Sequence, residues 1–65
     1  MNDIAVFFKK YDFLKISKVA EVAGINASLL RQYACDIKTP SGSQVVKVEN
    51  AIHEIGRQLM KCKIL

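Results

Sequence analysis

Apolar residues along this 65-residue chain recur at intervals of three and four rather than two, which is helical spacing. Over residues 3–11, Ile4, Phe7, Phe8 and Tyr11 fall at i, i+3, i+4 and i+7 and share one face. Lys9 and Lys10 take the other face, and Asn2 or Asp3 can cap the helix. Ser17 is placed to cap a second helix over 18–23, with Val19, Val22 and Ala23 on one side. Gly24 ends it, since glycine supplies the positive φ that a helix C-terminus commonly needs. Asn26 can cap a third helix over 27–35 that buries Leu30, Tyr33 and Ala34. Its other stripe, Ser28, Arg31, Gln32 and Cys35, is polar and carries no acid. Residues 36–40 form a loop, because the residue before Pro40 is pushed out of the helical region.

A long fourth helix follows from about residue 42. Ser41 and Gln44 have the spacing of a capping box. Val45, Val48, Ile52, Ile55, Leu59 and Cys62 then step by three and four in alternation, a heptad-like seam. Cys62 on that seam reads as a small core hydrophobe. Gly56 costs this helix about 1 kcal/mol relative to Ala. It marks either a tolerated interior glycine or the start of a fifth helix at Arg57. The seam has two uses that can coexist. It can cover the core of its own chain, or part of it can join Met60, Ile64 and Leu65 in a two-fold dimer contact. The pattern predicts one all-α domain over 1–65, a compact bundle of four to five helices.

Size and composition narrow the function. A chain this short buries only about 60% of the surface it exposes when unfolded, so its core is thin and a partner chain is plausible. There is little room for a cleft with a supporting shell. No carboxylate pair, Ser/His/Asp set or phosphate-cradling glycine loop is legible, so no catalysis and no cofactor are expected. The longest apolar run, Ile4 to Phe8, is far short of the roughly 20 residues that span a bilayer. Asp3 before that run and the lack of a cleavage pattern after it argue against a signal peptide. Cys35 and Cys62 are expected as reduced thiols. With His53 they are too few, and too far apart, for a metal site, and His53 reads as a partly packed surface residue. The net charge of +4 is a mild pointer to a polyanion, and it is spread evenly rather than held in a basic tail.

The informative stretch is Ile16 to Cys35: a short helix, a turn with glycine, a second helix. Ala20 falls where the two helices would cross. Val19, Ala23, Ile25, Leu30 and Tyr33 would face inward. With the Pro40-Ser41 pair that follows, the run from Ile16 to Ser41 resembles the helix-turn-helix of the phage-repressor-like (lambda-repressor-like, XRE-type) family. Val45 to Gly56 is similar to that family's next helix. The chain departs from the family pattern at Cys35-Asp36, where members carry asn-gly, and at Asn26-Ala27, where members often carry a glutamine. Asp tolerates the left-handed backbone better than most residues.

The resemblance implies sequence-specific binding to double-stranded DNA by a transcriptional regulator, a repressor, with helix 27–35 in the major groove. It implies base-edge contacts from Ser28, Arg31 and Gln32. Arginine suits guanine O6/N7, and glutamine suits adenine N6/N7. It implies phosphate contacts from Ser17, Lys18, Asn26 and Lys38, with Lys47 a weaker candidate. Leu29 and Tyr33 read as packing residues. A homodimer would read two half-sites about one helical turn apart. The resemblance further implies a cytoplasmic protein of bacterial or phage origin. Two other readings stand beside it. One is an antitoxin- or prophage-type autoregulator that also binds a toxin-like protein, with Lys61–Leu65 as a hook. The other is a helical protein-interaction module without DNA binding.

Overall fold

The computed structural model describes residues 1–64 and is all-helical, with four helices among them. α1 spans Asp3–Lys10, α2 Ile16–Ala23, α3 Ala27–Ala34 and α4 Gly42–Lys61. Each start has a local cause. The side-chain oxygen of Asn2 accepts from the Ala5 N–H at 2.8 Å and caps α1. Asn26 caps α3, accepting from the Ser28 and Leu29 N–H groups at 2.9 and 3.2 Å. Ser41 caps α4, accepting from the Gln44 N–H at 3.3 Å. The returning half of that capping box is not made, and Gln44 Oε1 is enclosed without a partner.

α2 departs from its expected start. Its cap residue is Lys15, which makes no side-chain capping bond, and Ser17 lies inside the first turn. Packing explains the difference. Leu14 and Ile16 both pack against the core, and drawing them in moves the cap two residues before the serine, to Lys15.

α3 packs against α1 and α2, while α4 lies mainly along α2 and touches α1 lightly. Ile4, Phe8, Val19, Ala20, Ile25, Leu30, Tyr33, Val48 and Ala51 make one buried cluster. Leu30 is fully enclosed at its centre. Leu29, Val45, Ile52 and Ile55 pack half-buried on its margin.

Gly56 does not end the fourth helix, so no fifth helix begins at Arg57. The seam is used only in part. It is covered as far as Ile55, but Leu59 is 65% exposed. Cys62 is exposed at the helix C-cap and is not the core residue its spacing suggests. The physical reason is length. Three eight-residue helices cannot flank a 20-residue one along its whole course. The last turn projects from the bundle, and the molecule measures 41 × 20 × 17 Å. Just before that projection the Glu54 carboxylate accepts from Arg57 Nε at 3.0 Å and from Gln58 Nε2 at 3.4 Å. The hydrogen bond from Arg57, then that from Gln58, and then the Arg57 charge hold the Glu54 carboxyl below its ordinary range. Leu65, one of the residues expected at a dimer contact, lies outside the described residues.

Two glycines give opposite predictions. Gly24 sits at φ +71 with open space around it, so Gly24→Ala meets only backbone strain. It should destabilise by roughly 1–2 kcal/mol. Gly56 also has open space but sits inside a helix, so Gly56→Ala should stabilise by about 1 kcal/mol. Urea midpoints of the two variants check both signs, and a gain for Gly24→Ala would deny the left-handed turn.

Candidate nucleic-acid interface

α2 and α3 are joined by Gly24, Ile25 and Asn26. The joint is a closed hydrogen-bonded unit. With Gly24 left-handed, its N–H reaches the Glu21 carbonyl at 3.3 Å, and the Ile25 N–H reaches the Ala20 carbonyl at 3.0 Å. This pair of bonds is a Schellman motif, and the apolar contact that goes with it is present: Ile25 and Ala20 are both buried. Asn26 then caps the next helix at once. The turn therefore caps the end of α2 through its backbone and the start of α3 through a side chain, and these bonds set the direction of α3 relative to α2.

That direction decides which side of α3 faces out. Leu30 and Tyr33 are buried and Leu29 is half-buried. Ser28 and Arg31 are exposed, and so is Cys35 just past the helix end. Gln32 is half-buried, less available than its place in the stripe suggests. Arg31 is the one charged residue of α3 and has no ion-pair partner among the described residues. Its guanidinium donors are unspent.

The other candidates are placed unevenly. Asn26 is exposed, but its oxygen is committed to the cap, which leaves its amide N–H groups free to donate. Lys18 is exposed and pairs with Glu21 at 3.1 Å. Ser17 is half-buried in the first turn of α2. No hydrogen bond or ion pair joins Ser17 or Lys18 to the α3 residues among those described. Lys47 stands apart on α4, beside a shallow hollow that also involves Glu54.

Lys38 is tied in through its backbone. After α3 the chain turns on Asp36, a non-glycine residue at φ 61. The N–H groups of Ile37 and Lys38 both donate to the Gln32 carbonyl, at 2.8 and 3.2 Å. The same loop is clamped from the other end of the chain. The Asn2 side-chain amide donates to the Tyr33 carbonyl at 2.9 Å, Asp36 Oδ1 at 3.0 Å and the Lys38 carbonyl at 3.2 Å. Its two protons are shared among the three acceptors. The Asn2 backbone N–H also reaches Asp36 Oδ1 at 3.0 Å. Sequence reasoning finds Asn2 only as a cap. Its second role rests on residues more than thirty positions away, for which no local signal exists. The loop also displays Ile37, 72% exposed, beside Lys38.

No helix among the described residues is long and apolar enough to cross a membrane. No family model, curated protein or solved structure matches the chain.

Asn2→Ala removes the α1 cap and the loop clamp together. It should cost roughly 1–3 kcal/mol, and the amide of Ala5 should lose hydrogen-exchange protection. An unchanged unfolding midpoint would show that the clamp holds nothing.

Proposed function

We propose that this chain is a transcriptional regulator that binds double-stranded DNA sequence-specifically as a repressor, with no catalytic step. The observation that carries the reading is the outward face of α3. Its apolar side is pinned in the core, and its exposed side offers Ser28 and an unpaired Arg31 on a helix that contains no acid. A helix of that kind, delivered by a three-residue turn from a preceding helix, suits the major groove. In this reading the α2–turn–α3 unit is a helix-turn-helix of the phage-repressor-like type. Arg31 takes guanine O6 and N7 in a bidentate contact, Ser28 takes a neighbouring base, and Gln32 makes the weaker third contact.

Phosphates take the remaining candidates. Lys38 offers its charge from a loop whose backbone is held, and Asn26 offers amide protons. Ser17 and Lys18 stand at the amino end of α2, where backbone N–H groups favour an anion. Lys18 can exchange its exposed Glu21 partner for phosphate at small cost, because such pairs contribute about 0–1 kcal/mol. A regulator of this kind works in the cytoplasm of a bacterium or of a phage-infected cell, as a homodimer reading two half-sites.

A second reading has one observation in its favour. Leu59, Met60 and Ile64 are exposed on the projecting end of α4. That apolar surface suits an autoregulator that also holds a protein partner of the toxin type.

Anisotropy titration against random labelled duplexes at ~50 and ~200 mM salt, with selection of the bound fraction, tests the reading. Steeply salt-dependent binding that enriches a two-fold symmetric motif supports it. No binding at the lower salt overturns it in favour of a helical interaction module.

Two variants separate the contacts. Arg31→Ala should lose about 1–3 kcal/mol on the selected site and relax preference at one base pair. A binding-site logo identical to wild type would contradict that role. Lys38→Ala should weaken binding to all duplexes alike and lower the salt slope by about 1. A loss confined to particular sequences would be the opposite result.

A further inference from the structure

An open groove of about 290 Å³ runs between α1 and α4. Its apolar lining includes Ile4, Phe7, Val48 and Ile52, and its two carboxylates are Asp3 and Glu49. The lining is preformed. The Phe7 ring is held edge-on to Phe8 at 5.3 Å between centroids and lies 4.8 Å from Tyr11. Neither Asp3 nor Glu49 has an ion-pair partner among the described residues.

The complementary chemistry sits at the far end of the same chain. Lys61, Cys62, Lys63 and Ile64 are all exposed, and Ile64 is 96% exposed. The backbone leaves α4 extended at Cys62, with φ −73 and ψ 138. Both lysines lack an ion-pair partner among the described residues. The segment thus offers two cations and an aliphatic side chain to a groove that offers two carboxylates and an apolar floor.

The segment cannot serve its own groove. Along the unbroken α4, Lys61 lies about 20 Å beyond Val48 at 1.5 Å per residue. Residues 62–64 reach back at most about 10 Å even when fully extended. The occupant must come from another molecule.

We propose that residues 61–64 of one copy dock in the α1–α4 groove of a second copy, and that the second copy returns the same contact. Lys61 and Lys63 pair with Asp3 and Glu49, and Ile64 covers the apolar floor. Reciprocal docking lays the two α4 helices antiparallel and covers Leu59, the seam residue left bare in the single chain. This contact rests on the dimer of the functional reading and assigns its surface. It is tested without DNA, so either can fail alone.

The test is sedimentation equilibrium on the full chain and two charge-reversed forms, K61E/K63E and D3K/E49K. Wild type should be dimeric. Each reversed form alone should dissociate at least about tenfold more readily, since attraction becomes repulsion at both ends of a two-fold contact. An equimolar mixture of the two forms should recover association as a heterodimer. The tail substitutions fall on exposed residues outside the core, so that form stays folded, with helical circular dichroism as the check. A monomeric wild type, a dimer unmoved by the tail reversal, or a mixture that fails to recover association would each overturn the proposal.

Discussion

The left-handed turn at Gly24 is the constraint on which the rest of the arrangement depends. An eight-residue helix has little stability of its own, because nucleation is costly and only a few backbone bonds repay it. α2 and α3 persist because their apolar sides pack in the core and the turn between them caps both helices. Gly24 and Ile25 close the end of α2, and Asn26 opens α3 on the next residue. The same bonds fix the exit angle, so Leu30 reaches the centre of the core and Arg31, one residue on, reaches solvent. Alternation between core and surface along α3 follows from the turn, and the proposed chemistry follows from that alternation.

The second constraint is long-range. Asn2 closes the start of α1 and also holds the loop after α3 through the Tyr33 and Lys38 carbonyls and the Asp36 carboxylate. Asp36 accepts a left-handed backbone that glycine would adopt with less strain. Two hydrogen bonds from Asn2 to its carboxylate offset that strain. A thin core thus gains rigidity from polar closure at its margins. The loop bearing Lys38 is fixed at the backbone while its side chain stays free.

Much of this was legible in the residue pattern, for local reasons. Asn26 before an amphipathic run, Ser41 three residues before Gln44, and Gly24 after Ala23 each act within a few positions. The helices they bound are found where spacing puts them, within a residue or two. What was not legible depended on lengths and partners. Ser17 is a better capping residue than Lys15, yet Leu14 and Ile16 are drawn into the core and move the start of α2. Cys62 continues a seam by spacing, but α4 outruns the short helices that would bury it. Gln32 shares the stripe of Arg31 and is half-buried, a difference that helical spacing does not register. The face presented by Ser28 and Arg31 was readable from the helical period. The clamp from Asn2 was not, because nothing near Asn2 announces Tyr33, Asp36 and Lys38.

The proposed function requires the exposed side of α3 to be a surface for duplex DNA. Amide chemical-shift mapping of the 15N-labelled chain during titration with a selected duplex addresses it most directly. The account predicts perturbations concentrated at Asn26 to Gln32, with smaller ones at Ser17, Lys18 and Lys38, and the interior around Val48 and Ala51 undisturbed. Perturbations centred on the end of α4, with α3 unmoved, would contradict it.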